Sequence, residues 1–454
     1  MIFLKKIQWL ACVLILLLLP VSASAAPLNE MKSYIESFYV GEIDGNLHDA
    51  TSAEQIIDML DPYSAYFTAE EFDAFINSIE MTSVGIGIVI EEHSQGIYIS
   101  DVIQGGSAEQ AGIAIGDIIT HIDGNAAAQM TTSEASSLIL GAENTSITLT
   151  FLKSNGQSVT KTIVRKPFSL PNGTSKLLYG NVGYIALSSF SSDAAGLVKK
   201  AIRELTANGA TSFILDLQDN GGGYVTAAEE VIGLFPNAKD AYTYEDASGS
   251  YLIRAKRQSI QFPKDTRVLI NRYSASASEM TAAALVDQKA ALLYGEKSYG
   301  KGTMQSFYEL SDGSYLKLTM ARFAGPAATV INHVGVKPHI ETTDNAKYKA
   351  HYDAVAANLP AYRELAALKN VSTHKTFTVN FTHELTTVPA DAIDLVKLGE
   401  GQVDAELKIE GSKVLVKPKE ELASGGHYML VVHPTIKGLN SMMKKGSYLY
   451  VTVK

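Results

Sequence analysis

RVLINRYSASASEMTAAAL, residues 267–285, begins as a short apolar strand and ends in a run of strong helix formers. Between them stand three serines at every second position, Ser274, Ser276 and Ser278. Ser276 together with Glu279 fits a helix capping box, and a serine before a helix is far more often a cap than a nucleophile. The stretch predicts a buried strand that turns into a helix, which is the repeating unit of a parallel α/β sheet.

The same alternation of strand and helix continues on both sides of this stretch. GYIALSSF at 183–190 predicts a strand, 192–207 a helix, SFILDLQDNGGGY at 212–224 a buried strand with a glycine loop, and ALLYGE at 291–296 a further strand. Crossovers of this kind place the carboxyl ends of the strands at one edge of the sheet. Gly222, Ser276 and Lys301 each follow a strand end, so we expect them at the same edge.

A serine nucleophile needs a base, and the sequence offers no histidine in a recognisable triad. Neither G-x-S-x-G nor H-E-x-x-H occurs. Lys301 is flanked by Gly300 and Gly302, and in an extended chain it would share a face with Thr303 and Gln305. Burial of its amine would lower the lysine pKa from about 10.4 toward roughly 7 to 8, where it can act as a base. The alternative is an ordinary surface lysine in a glycine turn.

Residues 81–166 have a different texture, with short strands between glycine turns. SVGIGIVIEE, from 83 to 92, lacks the third glycine and the following helix of a dinucleotide loop. Bare backbone N–H groups there could instead receive a carboxylate, and the strand that follows could pair with an extended peptide. The predicted peptide-binding residues are Val84, Gly85, Ile86, Gly87 and Ile88.

The amino terminus reads as a secretory signal over residues 1–25. Lys5 and Lys6 precede an apolar run that is too short for a stable membrane span, and Ala23-Ser24-Ala25 precedes the expected cleavage point. Removal takes away the only cysteine and the only tryptophan, and moves the formal charge from -10 to -12 because two lysines leave. An acidic mature chain without cysteine argues against thiol chemistry, nucleic acid partners and anionic membranes.

Flanking regions carry structure but no recognisable chemistry. Residues 26–80 predict helices with capping boxes at Thr51 with Glu54 and at Thr68 with Glu71, the latter stapled by Phe67 against Phe72. We interpret this region as packing or dimer contact. Residues 346–370 predict a helical connector, and 371–454 alternate as strands with glycine and asparagine turns.

The ordered motifs resemble one protein family. YSASASEM at 273–280 and GEKSYGKGTMQS at 295–306 are similar to the signature of the carboxyl-terminal processing peptidases, also called tail-specific proteases. The similarity runs from about residue 45 to 345 and includes a PDZ-like segment and DLQDNGGG at 216–223, where the family usually reads DLRNNPGG. The resemblance implies that Ser276 is the nucleophile, Lys301 the general base and Gln305 the residue that positions the lysine. Backbone N–H groups of Gly222 and Ala277 would then hold the oxyanion.

This resemblance also implies an architecture. We expect a multidomain α/β protease core of the crotonase and Clp type at 167–345, with N-terminal helices, an inserted PDZ domain at 81–166 and a C-terminal immunoglobulin-like β domain at 371–454. The implied activity is that of a secreted serine endopeptidase at the surface of a Gram-positive cell, which binds free C-termini of proteins and cuts near them. It implies no cofactor and no metal, and a homodimer through the N- and C-terminal regions.

Two other functions fit parts of the sequence. Ser298-Tyr299-Gly300-Lys301 matches S-x-x-K of penicillin-recognising enzymes, although that motif belongs on a helix and its S-D-N and K-T-G partners are absent in order. The other alternative is a peptide-binding scaffold whose enzymatic half has decayed. Intact Ser276, Lys301 and Gln305 disfavour it.

Overall fold

The computed structural model describes residues 27–343, 345–438 and 441–454. The predicted signal segment, 1–25, lies outside the described residues. Within the described ranges no helix combines the length and the apolarity needed to cross a membrane. The same ranges contain no group of three or more His, Cys, Asp or Glu side chains placed to hold a metal ion.

The N-terminal region is mainly helical, as predicted. Its elements are α1 Leu28–Phe38, a 3-10 turn Leu47–Asp49, α2 Ala53–Asp58, β1 Ala65–Phe67 and α3 Ala69–Ile79. Thr68 and Glu71 form the predicted capping box. The other predicted box is wrong by one residue, because Ser52 caps α2 and accepts from the Gln55 N–H. The Phe67 ring pairs with Phe75, at 5.4 Å between centroids, while Phe72 stacks on Tyr315.

A β-rich unit follows the helices. It consists of β2 Thr82–Gly85, β3 Ile88–His93, β4 Gly96–Val102, α4 Ser107–Gln110, β5 Ile118–Ile122, β6 Asn125–Ala126, α5 Thr132–Ile139, β7 Ser146–Leu152, β8 Ser158–Val164 and β9 Lys166–Ser169. One sheet has the order β3-β4-β5-β7-β8, so β3 lies at its edge, as the sequence predicts. The separate ladder of β2 with β9 forms the neck through which the chain enters and leaves the unit.

The central part of the chain is an α/β core. Its elements are β10 Gly173–Leu178, β11 Val182–Leu187, α6 Ala194–Ala207, β12 Ser212–Asp216, α7 Val225–Ile232, β13 Asp240–Asp246, β14 Gly249–Arg254, β15 Arg267–Ile270, α8 Ala277–Asp287, β16 Leu292–Gly295, β17 Thr303–Glu309, β18 Tyr315–Ala324 and β19 Ile340–Glu341. A six-stranded sheet has the order β10-β11-β12-β15-β16-β19 and is parallel from β11 onward. The predicted parallel crossovers are confirmed.

A second, antiparallel sheet lies beside this core. Its order is β1-β18-β13-β14, with β17 paired to β18, so the strand that follows Lys301 belongs to it. β1 pairs with β18, which draws the N-terminal region onto the core. α6, α7 and α8 share one hydrophobic cluster with the parallel sheet, and Tyr242 and Phe323 of the second sheet belong to the same cluster.

The C-terminal part of the chain begins with a helix that is shorter than the connector predicted over residues 346–370. Its elements are α9 Ala346–Ala357, β20 Arg363–Glu364, β21 Leu368–Val371, β22 Phe377–Asn380, β23 Leu385–Thr387, β24 Ile393–Lys397, β25 Gln402–Val403, β26 Ala405–Glu410, β27 Lys413–Pro418, β28 His427–Val432, β29 Lys437–Gly438, β30 Ser441–Met442 and β31 Ser447–Val453. The helix ends before Pro360, which disfavours helical geometry in the residue ahead of it. β20 and β21 pair with β31, so the second half of 346–370 is strand rather than helix.

Candidate active site

Ser276 stands at the turn between β15 and α8, as the last residue before the helix. Its φ is +55°, in the left-handed region that residues with a side chain adopt only when their surroundings enforce it. The neighbouring serines supply that enforcement, since the Ser274 hydroxyl donates to the Leu217 carbonyl and the Ser278 hydroxyl to the Asn220 carbonyl, each at 2.8 Å. Ser274 and Ser278 therefore hold the turn in place through their hydrogen bonds, and the side chain of Ser276 faces a cavity.

The glycine loop after β12 packs directly against Ser276. A Cβ on Gly222 would lie 2.8 Å from the Ser276 Cβ, and the φ of Gly222 is +109°, so only glycine fits. The Gly222 N–H donates to Asn220 Oδ1 at 2.9 Å. The N–H that was predicted to hold an oxyanion is therefore bound to a side-chain acceptor in this arrangement. In the described part of the chain, the N–H groups of Gly223 and Ala277 have no acceptor.

Lys301 reaches the site through the loop between β16 and β17, and a buried carboxylate fixes that loop to Ser276. Glu279 Oε2 accepts the N–H of Ser276 at 3.0 Å and that of Lys301 at 2.8 Å. Glu279 Oε1 accepts the Ser298 hydroxyl at 2.6 Å and the Gly300 N–H at 2.5 Å. Glu279 is 0% exposed. One side chain thus sets the spacing between the backbones of the two predicted dyad residues, a role that reaches well beyond the capping box.

The side chains of Ser276 and Lys301 line one cavity of about 400 Å³. Burial, and then the nearby charge of Lys317, lower the pKa of Lys301 from its ordinary value to about 8. Its Nζ lies 5.0 Å from the centroid of the Tyr63 ring. Among the described residues, no hydrogen bond joins the Ser276 and Lys301 side chains directly, although both line the same cavity.

Gln305 also lines this cavity, but its amide is held by threonines. Gln305 Nε2 donates to Thr303 Oγ1 and to Thr319 Oγ1, each at 3.0 Å. Thr319 in turn donates to Asp61 Oδ1 at 3.1 Å. The predicted contact of Gln305 with Lys301 is not made here, and the residue instead belongs to a polar row that ends at the N-terminal region.

The N-terminal contribution to the site was missed from the sequence. Asp61-Pro62 reads as a break between helices, which gives no sign that Tyr63 lies against the Lys301 amine. Phe75 from α3 also lines the cavity, as does Lys317 from β18. Only the pairing of β1 with β18, between segments about 250 positions apart, brings these residues together.

Comparison with known proteins shows to which protein family the chain belongs. Residues 181–342 match Peptidase family S41, and 98–153 match the PDZ domain. The carboxy-terminal processing protease CtpA of Bacillus subtilis (strain 168) is 32% identical over 350 residues, which are 77% of this chain and 72% of that protein. This chain belongs to the S41 peptidases.

Two further similarities are weaker. A probable CtpA-like serine protease of Staphylococcus aureus (strain N315) is 30% identical over 325 residues, 71% of this chain, and the match spans 65% of that protein. The solved photosystem II D1 C-terminal processing protease is 25% identical, with a TM-score of 0.45 over 73% of this chain and 95% of that one.

The peptide groove of the PDZ domain in this S41 peptidase is nearly closed. Ile86, Gly87 and Ile88 border a cavity of about 40 Å³ between β3 and α5, and Phe168 of the neck fills its side. Val84 and Gly85, also predicted to bind peptide, pair instead with Pro167 and Lys166 in the β2–β9 ladder. Their backbone is therefore part of the neck, whereas Ile86, Gly87 and Ile88 border the cavity.

The penicillin-type alternative loses its nucleophile in this structure. Ser298 lies in the loop before β17 rather than on a helix. Its hydroxyl is buried, donates to Glu279 Oε1 and accepts the Val336 N–H, both at 2.6 Å. A hydroxyl committed in this way supports the active-site loop and is not presented to a substrate.

Proposed function

We propose that this C-terminal processing serine peptidase cleaves peptide bonds with Ser276 as nucleophile and Lys301 as general base. The observation that carries the proposal is the Glu279 carboxylate, which binds the backbone of both residues through one oxygen while their side chains line one cavity. A lysine whose pKa lies at about 8 is partly uncharged at neutral pH, as a base must be.

The chemistry follows from these positions. The neutral Lys301 amine takes the Ser276 proton as the hydroxyl oxygen attacks the peptide carbonyl, and returns it to the leaving amine. Water then hydrolyses the acyl ester by the same proton transfers. In this proposal the N–H of Ala277, at the start of α8, and the N–H of Gly223 bind the developing oxyanion, and each such donor contributes about 3 kcal/mol in comparable sites.

Substrate binding completes the dyad in this proposal. Catalytic hydrogen bonds are often long in a free enzyme and shorten in the complex. A rotamer change of Lys301, away from the Tyr63 ring, brings its amine to the serine without moving the backbone that Glu279 holds. Gln305 is then positioned to orient the amine from β17, since it lines the same cavity.

In this proposal the PDZ domain selects the substrate. The backbone around Ile86 and Gly87 receives the terminal carboxylate, and the edge strand β3 pairs with the tail. Phe168 leaves the groove when a tail enters. We also propose that the core is crotonase-like and that the C-terminal domain is immunoglobulin-like. The protein forms a homodimer through its two terminal regions in this proposal. Residues 1–25 direct its secretion to the surface of a Gram-positive cell.

Two variants test the dyad. Ser276→Ala and Lys301→Ala each abolish cleavage of an unstructured protein such as casein, while the far-ultraviolet circular dichroism and the melting temperature stay close to those of the parent. Lys297→Ala removes an exposed lysine of the same loop and serves as the matched control. Cleavage by Ser276→Ala at the parental rate would refute the proposal, and a parent that binds tails but cleaves nothing would favour the inactive scaffold.

A further inference from the structure

A second lysine shares the active-site cavity. Lys317 lies on β18, directly opposite Phe307 of β17 in the strand register, and lines the same space as Ser276 and Lys301. Its Nζ lies 4.8 Å from the ring centroid of Phe75 and 5.3 Å from that of Phe67. The ammonium is therefore held against two aromatic faces, which attract a cation.

This ammonium has no carboxylate within ion-pair distance among the residues the structure describes. Burial lowers the pKa of Lys317, and the charge of Asp61 raises it. That carboxylate is already committed: Asp61 Oδ1 accepts the Tyr63 N–H at 2.8 Å and Oδ2 accepts the Ser64 hydroxyl at 2.9 Å. A half-buried charge without a counter-ion opposes folding, so its position beside the dyad calls for a chemical reason.

We propose that Lys317 is a positioning residue for the dyad, whose ammonium, held by Phe67 and Phe75, keeps the Lys301 amine uncharged by like-charge repulsion. The inference rests on the proposed Ser276–Lys301 dyad and gives it a further component. The two lysines of the cavity then have different roles, since Lys317 carries the positive charge and Lys301 acts as the uncharged base.

The surrounding charges set the direction of the effect. Around Lys301 the titratable groups are Tyr63 and Asp61 from the N-terminal region, Glu279 from α8 and Lys317 from β18. Burial lowers the Lys301 pKa most, Lys317 lowers it further, and Asp61 and Glu279 raise it. Lys317 is thus the one named neighbour whose charge favours the neutral amine, and its loss leaves two carboxylates that favour the charged form.

The experiment is a pH profile of kcat/KM between pH 6 and 10 for the parent, Lys317→Gln and Lys317→Arg, with an N-acetylated peptide substrate that has a free C-terminal carboxylate and no side chain that titrates in this range. In the parent, activity rises as Lys301 loses its proton, with a midpoint close to the pKa of about 8. In Lys317→Gln the midpoint moves to higher pH, so kcat/KM at pH 7 falls several-fold and recovers toward the parental value at high pH. Lys317→Arg keeps the positive charge and the parental midpoint.

Three results would overturn the inference. An unmoved midpoint in Lys317→Gln shows that the charge does not act on Lys301, and a loss of equal size at every pH shows a role in packing alone. A rise of KM with an unmoved midpoint assigns Lys317 to substrate binding and also overturns it. Ser276→Ala in the same assay separates the two proposals: if that variant is active, the dyad itself fails, whatever the Lys317 profile shows.

Discussion

Replacing Glu279 by glutamine tests whether one buried carboxylate sets the geometry of the dyad. The carboxylate accepts four donors: the N–H groups of Ser276, Gly300 and Lys301 and the hydroxyl of Ser298. An amide keeps one oxygen and turns an NH₂ group toward two of these donors. In the better orientation that NH₂ faces the Ser298 oxygen, which can accept, and the buried Gly300 N–H is left without a partner.

The magnitude follows from that count. One buried unsatisfied N–H costs about 1–3 kcal/mol, and the remaining bonds lose the added strength that a charged acceptor provides. We expect Glu279→Gln to lower the free energy of unfolding by about 2–5 kcal/mol. A displacement of the Lys301 loop by about 1 Å would in addition lower kcat/KM on the order of 100-fold.

Urea unfolding and steady-state cleavage of one peptide measure the two effects. Glu309→Gln makes the same chemical change on an exposed carboxylate of β17 and should leave both quantities near their parental values. Parental stability together with parental kcat/KM in Glu279→Gln would refute the reasoning. A loss of stability with unchanged kcat/KM would mean that Glu279 supports the fold without setting the dyad.

Three further predictions concern Asn220 in the glycine loop, Phe168 beside the PDZ groove, and His351 of α9. Asn220→Ala removes the bonds of its side chain to the Leu187 carbonyl and the Gly222 N–H, and should lower the free energy of unfolding by about 2–4 kcal/mol in a urea titration, whereas parental stability would contradict it. Phe168→Ala should tighten binding of an apolar-tailed peptide with a free carboxylate, measured by calorimetry; the amidated peptide should bind more weakly to both forms, and equal binding would exclude tail recognition. Burial lowers the pKa of His351 to about 4, so the neutral ring contributes stability above its ordinary pKa that is lost as pH falls toward 4. His351→Gln should flatten that part of the stability curve, and an unchanged slope would show that His351 does not cause it.

Local sequence patterns predicted those parts of the site that lie at the ends of strands. Gly222, Ser276 and Lys301 each follow a strand of the parallel sheet, and the crossovers between parallel strands bring those ends to one edge, which can be predicted without any knowledge of packing. The helix predicted over 192–207 also lies close to its observed limits, Ala194–Ala207, because helix formers act locally, whereas the predicted connector 346–370 is helical only over Ala346–Ala357. The cap of α2 was predicted at Thr51, one residue before Ser52, which is the cap in the structure.

What escaped prediction depends on contacts between distant segments. The pairing of β1 with β18 brings the Tyr63 ring near the Lys301 amine and Lys317 into the cavity, and no sequence periodicity predicts such a pairing. The occupied N–H of Gly222 depends on the side-chain orientation of Asn220, and the closed groove depends on where Phe168 of the neck packs. Residue type alone could not settle either, since both residues are ordinary members of a loop and a strand.

The most direct test of the account is a titration of the lysine side chains by nuclear magnetic resonance in the Ser276→Ala variant labelled with ¹⁵N-lysine. The Nζ resonance that disappears in Ser276→Ala/Lys301→Arg identifies the base. The account predicts that this amine loses its proton with a pKa of about 8, so that a fraction is neutral at physiological pH. A Lys301 amine that titrates at the ordinary value of about 10.4 would contradict the central claim, because the proposed base would be charged when the enzyme works.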